Sequence, residues 1–245
     1  MNEVIKLLQS HRSVRKFTEQ SIPQAVLEEL IKCGQAAATS SFIQACTVIQ
    51  VEDTDKREQL VELAGNQPYI ASCARFVVYC ADMNRHKIAC DIHDADMLSG
   101  YTEQFITATV DCALFAQNVI TAAQSLGIEG VYIGGIRNNI QSVTDLLELP
   151  HLVYPVFGMC LGYPAQNPEV KPRLPLSVIL KKDHYHDEED ANTISDYDNQ
   201  VREYYKTRTG GNKDTAWSEQ ISKMLVKEAR PHMKGFLESR GFILK

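Results

Sequence analysis

Apolar residues recur three and four positions apart in several segments, and this spacing predicts amphipathic helices. The first such segment covers residues 4–8. A second helix follows Pro23, a residue suited to a first helical turn, and presents apolar side chains on one face as far as Ile31. The third, DTDKREQLVELAG at 53–65, begins at a capping aspartate and ends at a glycine. The first quarter of the chain is therefore predicted to be largely helical.

Four shorter runs have the composition of strands. They are rich in β-branched, apolar and aromatic residues, and they cover residues 47–51, 74–82, 131–136 and 152–162. Their interleaving with helices fits an α/β or an α+β protein that carries helices on both sides of one sheet.

The segment 104–126, QFITATVDCALFAQNVITAAQSL, is predicted to be one long helix with apolar or small residues around most of its circumference. Such a helix is buried on nearly all sides. Either it runs through the core of a single chain, or a second subunit covers part of it.

The composition changes after about residue 180, where a polar, charged stretch precedes helical segments around 195–206 and 217–240. The apolar content of this region is too low for a core of its own. We therefore expect a single domain overall, with a core at 1–180 and a C-terminal extension at 181–245.

Composition narrows the possible functions. With 31 acidic against 25 basic residues, the net charge of −6 argues against general binding to nucleic acid or anionic membranes. The seven cysteines form no C-x-x-C pair, which is typical of a reducing compartment, and no uninterrupted apolar run is long enough to span a membrane. A cytoplasmic protein is expected. The His-containing acidic stretches 91–96 and 183–190 are predicted to be solvated loops without a metal.

Against this acidic background, positive charge is concentrated locally. The stretch HRSVRKF at 11–17 is either a solvated helix end or half of an anion site, and Lys171 and Arg173 in VKPRLP are a candidate second half. Gly134 and Gly135 follow a predicted strand, where they form either a plain turn or a surface that a flat ligand can approach closely. The chain contains neither the G-x-G-x-x-G fingerprint nor a P-loop.

Several motifs together resemble the nitroreductase superfamily, and within it the group of oxygen-insensitive NADPH nitroreductases and NADPH–flavin oxidoreductases. They are HRSVRKF, AATSSFIQ (37–44), AGNQPY (64–69), SLGIEGVYIGGIRNN (125–139), FGMCLGYPAQNPEVKPRLP (157–175) and the late SRGF. The resemblance implies an α+β nitroreductase-like fold with a central, mostly antiparallel sheet flanked by helices. It also implies a homodimer with FMN at the subunit interface and a C-terminal extension that wraps the partner.

The resemblance also assigns residues to ligands. Non-covalent FMN is expected to contact phosphate-binding, ring-edge and ring-face residues, namely His11, Arg12, Ser13, Arg15, Thr39, Gln67, Tyr69, Tyr132, Ile133, Gly134, Gly135, Lys171 and Arg173. Substrate and NADPH are expected to contact Ser41, Phe42, Arg208, Lys213 and Arg230. At Thr39 the group more often has Ser; the threonine keeps the hydroxyl and adds a methyl group.

The implied function is two-electron, ping-pong reduction of nitroaromatics, quinones or free flavins by NADPH. One alternative is a dedicated NADPH:FMN reductase that supplies reduced flavin to a partner enzyme. A non-enzymatic alternative is a passive module that binds a flavin or nucleotide.

Overall fold

The computed structural model describes residues 2–245 and has an α+β architecture, as expected. The four strands are β1 (Cys46–Gln50), β2 (Arg75–Asp82), β3 (Glu129–Ile133) and β4 (Val153–Gly162). The helices are α1 (Glu3–Gln9), α2 (Gln24–Gln35), α3 (Thr54–Leu63), α4 (Tyr69–Ser72), α5 (Asn84–Ile92), α6 (Thr102–Ser125), α7 (Ile140–Leu146), α8 (Leu176–Ile179), α9 (Asp190–Thr209), α10 (Trp217–Leu225) and α11 (Met233–Ser239). Short 3-10 turns lie at Ser40–Phe42 and Gly134–Arg137.

The strands form one sheet in the order β1-β2-β4-β3, and every neighbouring pair is antiparallel. Strand β2 shows why the nearly continuous apolar run at 74–82 predicts a strand that is buried on both faces. Val77 and Tyr79 pack into the core shared with α2 and α6, whereas Phe76 and Val78 pack into a second core with α3 and α7. Both faces of β2 are covered because side chains alternate along a strand.

Helix α6 runs along one face of the sheet and packs against α2. Within this chain, however, one side of α6 remains open: Ile106, Val110 and Leu114 are 48%, 48% and 45% exposed. These three residues recur at helical spacing and form a single stripe, which we call the α6 stripe. Of the two predicted alternatives, complete burial of α6 within one chain is therefore excluded, and cover by a second subunit stays a prediction.

The chain divides into two compact units. The first comprises residues 1–167 and 230–245, and holds the sheet with α1–α7 and α11. The second comprises residues 168–229 and holds α8, α9 and α10 around a small core of Tyr197, Val201, Tyr204 and Tyr205. The predicted division at residue 180 into a core and an extension stays a prediction.

The predicted helical segment at 217–240 is two helices, α10 and α11, separated at 226–232. Pro231 explains the break, because a proline disfavours helical backbone in the residue before it. Arg230, the residue before Pro231, is outside the helical region, with a left-handed φ of 53°. Helices α5 and α7 were not predicted from the sequence.

Candidate functional site

The HRSVRKF stretch lies along the sheet and is fixed to it by backbone hydrogen bonds. The amide of Val14 donates to the carbonyl of Gly130 in β3 at 3.1 Å, and the amide of Thr18 donates to the carbonyl of Tyr163 at 2.9 Å. The Val14 side chain is fully buried. The donors on either side of Val14 are therefore carried by a rigid backbone rather than by a frayed helix end.

Glu129, at the start of β3, lies near Arg12 and is linked to His11 through Gln124. Nδ1 of His11 lies 3.1 Å from Nε2 of Gln124, and the same amide donates to Glu129 at 2.9 Å. Nη2 of Arg12 lies 4.0 Å from Oε1 of Glu129, and its Nε is buried with no hydrogen-bond partner among the described residues. A buried guanidinium donor without a partner is costly unless something accepts its hydrogen bond.

Arg15 is different, because its side chain is exposed and takes part in none of the ion pairs found among residues 2–245. It thus offers a full set of donors to solvent or to a ligand. Sequence analysis missed Gln124 and Glu129, and the only local signal is that Glu129 directly precedes the run GVYIGG.

The structure brings Gln67, Tyr69 and Gly135 together. A Cβ atom at Gly135 would lie 2.3 Å from the carbonyl oxygen of Ala64 and 2.3 Å from Nε2 of Gln67, so only glycine fits there. Nε2 of Gln67 donates to Ala64 at 2.6 Å, and the Tyr69 hydroxyl donates to Oε1 of Gln67 at 2.5 Å. The Gln67 amide is fixed by these contacts beside the glycine turn.

The side chain of Ile133 belongs to the protein core, and that of Tyr132 is half-buried against the core. The Tyr132 hydroxyl donates to Oε1 of Gln117 at 3.4 Å, and its ring lies 5.3 Å from that of Phe157. Burial raises the pKa of Tyr132 to about 12. Ile133 is fully buried on the other face of β3. Ile133 can therefore present only its backbone to a ligand, whereas the half-buried Tyr132 keeps part of its side chain accessible.

Two arginines converge on Gly134. Arg230 donates to Oδ1 of Asn138 at 3.0 Å and to the carbonyl oxygen of Gly134 at 3.3 Å. Arg137, which sequence analysis did not single out, donates to the carbonyl of Val156. Burial lowers the pKa of Arg137, and the nearby charge of Arg230 lowers it further. Neither guanidinium is in an ion pair within the part of the chain that the structure describes, so positive charge accumulates at the glycine turn.

The loop that contains Thr39, Ser41 and Phe42 has an unusual backbone. Ser41 and Phe42 have left-handed φ values of 48° and 58°, and such conformations in residues other than glycine often mark functional loops. Asp111 in the middle of α6, 1% exposed, accepts hydrogen bonds from the amides of Ser40 at 3.4 Å and Ala45 at 3.0 Å. Phe42 is consequently held 80% exposed.

Thr39 lies at the base of this loop. Its hydroxyl accepts a hydrogen bond from the amide of Gln44 at 3.3 Å. Thr39, Ile43 and Phe115 also line a cavity of about 560 Å³. Ser41 and Phe42 do not line this cavity.

In the second unit, Lys171, Arg208 and Lys213 all contact adjacent tyrosines of α9. Lys171 and Lys213 lie over the ring of Tyr205, and Nη1 of Arg208 donates to the hydroxyl of Tyr204 at 3.0 Å. Burial raises the pKa of Tyr197, and the positive charge of Arg173 opposes that rise. Four predicted phosphate-binding cations are therefore distributed along one aromatic face.

Two further properties of the chain concern metals and membranes. Among residues 2–245, no group of three or more His, Cys, Asp or Glu side chains is placed to hold a metal ion. Helix α6 is long and apolar enough to cross a membrane by length and composition alone. Its fully buried residues Ala108, Cys112 and Ala116 pack into the protein core, as in the central helix of a globular domain.

Comparison with known proteins gives consistent matches along the chain. A model of the nitroreductase family matches residues 8–163, and a model of that family's C-terminal domain matches residues 171–245. The oxygen-insensitive NADPH nitroreductase of Salmonella typhimurium is 44% identical over 99% of this chain and 99% of its own length. The FMN reductase (NADPH) of Bacillus subtilis is 38% identical over 99% of both chains. The structure of the NfrA1 nitroreductase from B. subtilis superposes with a TM-score of 0.96 at 37% identity, covering 99% of this chain and all of that one (100%).

Proposed function

Because the chain belongs to the nitroreductase family, we propose that it is an FMN-dependent NADPH oxidoreductase that reduces nitroaromatics, quinones or free flavins by two-electron transfer. Family membership confirms the resemblance carried by the sequence motifs. The observation that supports the proposal most directly is the HRSVRKF stretch, which contains both an exposed, unpaired Arg15 and the unpartnered Nε of Arg12.

These residues fit the phosphate of FMN. Guanidinium groups form short, charge-assisted hydrogen bonds with phosphate oxygens, and such an acceptor would satisfy the Arg12 donor that the protein leaves without a partner. We propose that His11, Ser13 and Arg15 act with Arg12, and that Lys171 and Arg173 serve the same cofactor. When bound, FMN supplies reversible two-electron redox chemistry that no side chain of the protein provides.

We propose that the remaining assigned residues orient the flat part of the cofactor. Gln67 and Tyr69 contact its ring edge and ribityl chain, and Thr39 offers a hydroxyl. The backbone of residues 132–135 lies along its face, where Gly134 leaves room for close approach because a Cβ there would meet only the Arg137 side chain, at 3.3 Å. The positive charge of Arg137 and Arg230 at this turn favours an electron-rich ligand.

NADPH is proposed as the electron donor. Arg208 and Lys213 are assigned to its 2′-phosphate, and Arg230 to its nicotinamide end. The acceptor then binds where NADPH was bound, beside Ser41 and Phe42, in a ping-pong cycle. The exposed apolar ring of Phe42 suits flat aromatic acceptors.

A dedicated FMN reductase is a second candidate, favoured by the similarity to the FMN reductase (NADPH) of B. subtilis. The two candidates differ in the preferred acceptor, a nitroaromatic or free FMN. The passive binding module is set aside, because the relatives are oxidoreductases over their whole length.

We also propose that the protein is a cytoplasmic homodimer in which the extension at 181–245 wraps the partner and contributes to the NADPH site. The α6 stripe supports this proposal, because three large apolar side chains at nearly half exposure on one helix face are typical of an interface. Light scattering at micromolar concentration should give about twice the chain mass of 27.5 kDa. Val110→Asp should shift the mass toward one chain, and an unshifted dimer would place the interface elsewhere.

The decisive experiment is anaerobic mixing of the purified yellow protein with NADPH, followed by a panel of acceptors. We expect the flavin absorbance to bleach and then to return on addition of a nitroaromatic, a quinone or free FMN. The acceptor with the highest kcat/KM separates the general reductase from the dedicated flavin reductase. A protein that carries no flavin, or one that NADPH does not bleach, contradicts the proposed function.

A further inference from the structure

An acidic side chain lies beside the first cations of the HRSVRKF stretch. Glu129, at the start of β3, is only 15% exposed, and its Oε1 lies 4.0 Å from Nη2 of Arg12. By its charge alone, a carboxylate in this place would repel a phosphate, because like charges in a partly buried site interact more strongly than in water. Its position beside the proposed phosphate site therefore calls for a specific role.

Glu129 determines how the Gln124 side chain is oriented. Nε2 of Gln124 donates to Oε2 of Glu129 at 2.9 Å. An ionised carboxylate can only accept hydrogen bonds, so it faces the NH2 group of the amide and not its carbonyl oxygen. The second hydrogen of that NH2 group is left for another acceptor.

The second acceptor is the imidazole of His11. Its Nδ1 lies 3.1 Å from Nε2 of Gln124 and 3.4 Å from Oε1, so the amide nitrogen is the closer atom. Nδ1 therefore accepts the hydrogen bond, and in a neutral imidazole the other nitrogen then carries the proton. That nitrogen, Nε2, forms no hydrogen bond within residues 2–245 and is consequently a donor ready for a ligand.

The Arg12 guanidinium is held through its two terminal nitrogens. Nη1 donates to the carbonyl oxygen of Ser10 at 3.1 Å, and Nη2 faces Glu129. Nε is left over, buried and without a hydrogen-bond partner in the described part of the chain. One carboxylate thus acts on two donors, directly on Arg12 and through an amide on His11.

We propose that Glu129 and Gln124 are positioning residues for the FMN phosphate: Glu129 fixes the Gln124 amide so that His11 carries its proton on Nε2, and it holds Arg12 so that Nε stays free to donate. This inference rests on the proposed function, which assigns His11 and Arg12 to that phosphate. It adds that an acidic residue, contacting no part of the cofactor, strengthens the binding of an anion.

Glu129→Gln is the sharpest test, because a bystander and a positioning residue predict opposite signs. Loss of a negative charge beside the phosphate should tighten FMN binding if Glu129 is a bystander. If it positions the donors, the Kd for FMN should rise about three- to tenfold, the effect of losing one hydrogen bond. Glu52→Gln is the matched control. It removes a carboxylate that lies 2.8 Å from Arg75, just after β1 and so at the opposite edge of the sheet from β3, and it should leave the Kd within about twofold.

Gln124→Leu tests the amide alone. It keeps Glu129 but removes the donor to His11, so the Kd for FMN should rise about threefold or more. Riboflavin has the ring system of FMN without the phosphate. Its Kd, measured by fluorescence quenching on the full chain freed of flavin, should stay within about twofold of the wild-type value in both variants, because the lost contacts serve the phosphate.

The proton position on His11 gives a readout that a merely structural role would not move. We expect ¹⁵N NMR of the histidine-labelled wild type, at about pH 8 where an imidazole is ordinarily neutral, to show His11 protonated on Nε2. The signal is assigned by its loss in His11→Asn. In Glu129→Gln the Gln124 amide is free to turn its oxygen toward Nδ1, so a population protonated on Nδ1 should appear.

Each outcome decides the inference. Tighter or unchanged FMN binding in Glu129→Gln, an equal loss of FMN and riboflavin in either variant, or a wild-type His11 protonated on Nδ1 would overturn it. If Glu129→Gln does not fold, Gln124→Leu and the wild-type NMR spectrum decide alone. A wild-type chain that binds no FMN refutes the proposed function itself, which keeps that failure distinct.

Discussion

The protein presents cations in two regions that are built differently. At 11–15 they project from a backbone hydrogen-bonded to β3, with Val14 buried between them. In the second unit, Lys171 and Lys213 are held at their charged ends by a tyrosine. There the loop after α9 contains Gly210 and Gly211, and a Cβ atom at either would meet nothing within 4 Å. The first arrangement is rigid and suits a cofactor that stays bound. The loop after α9, which carries Lys213, is open and suits a coenzyme that exchanges at every turnover.

The largest expected effect comes from the rigid region. Arg15→Ala should weaken FMN binding by about 1.5–3 kcal/mol, the contribution of a hydrogen bond to a charged group, which corresponds to roughly 10- to 150-fold in Kd. Flavin release on dilution, followed by fluorescence, measures it. The adjacent and equally exposed Lys16→Ala is the control and should change the Kd by less than about twofold. If both variants retain FMN as the wild type does, the phosphate lies elsewhere.

Strand β3, which holds the 11–15 segment, ends at the Gly134–Gly135 turn, and the rigidity of that turn can be tested. Gly135→Ala forces a methyl group against the Ala64 carbonyl and the Gln67 amide, both 2.3 Å away, and should cost about 1–3 kcal/mol of unfolding free energy. In Gly134→Ala the nearest contact of the new methyl group is the Arg137 guanidinium, at 3.3 Å, so the substitution should cost less than about 1 kcal/mol. Urea denaturation of the two variants compares them directly. Equal stabilities would mean that the turn adapts, and the contrast between the two regions would weaken.

The smallest expected effect lies in the open region. Arg208→Ala should raise the KM for NADPH about tenfold by removing one charge-assisted contact, and it should leave the KM for NADH and the flavin spectrum nearly unchanged. Lys206→Ala is the matched control, because Asp214 already neutralises that lysine at 3.3 Å. If Arg208→Ala slows both coenzymes equally, Arg208 serves the fold through its contact with Tyr204.

Much of the fold could be read from hydrophobic patterning. The runs that became β2 and β4 are nearly continuous in apolar residues because both faces of each strand are buried. Helix α5 escaped prediction because it buries none of its residues and therefore lacks an apolar stripe. The α6 stripe shows a second limit of hydrophobic patterning. Apolar residues all around a helix do not show which side is covered by the same chain and which side is left exposed.

The candidate site was predictable where its donors are contiguous in sequence, as in HRSVRKF and VYIGG. The groups beside those donors were missed because only the folded chain brings them there. Glu129, at the start of β3, approaches Arg12, and Arg137, in the turn after β3, approaches Gly134. Asp111, by contrast, could have been recognised as an important residue from the sequence. A single carboxylate in the middle of an otherwise apolar helix must be compensated by donors, here the amides of Ser40 and Ala45.

The Asp111 carboxylate also affects how substitutions in the 40–45 loop can change the set of electron acceptors that the protein reduces. Asp111 fixes the two ends of the 40–45 loop through the main-chain amides of Ser40 and Ala45, and these hydrogen bonds do not involve the outward side chains. Ser41 and Phe42 are exposed, and changes there leave the buried anchor intact. New acceptors can therefore be selected at these two positions without loss of the Asp111 anchor, within the set of residues that tolerate a left-handed backbone.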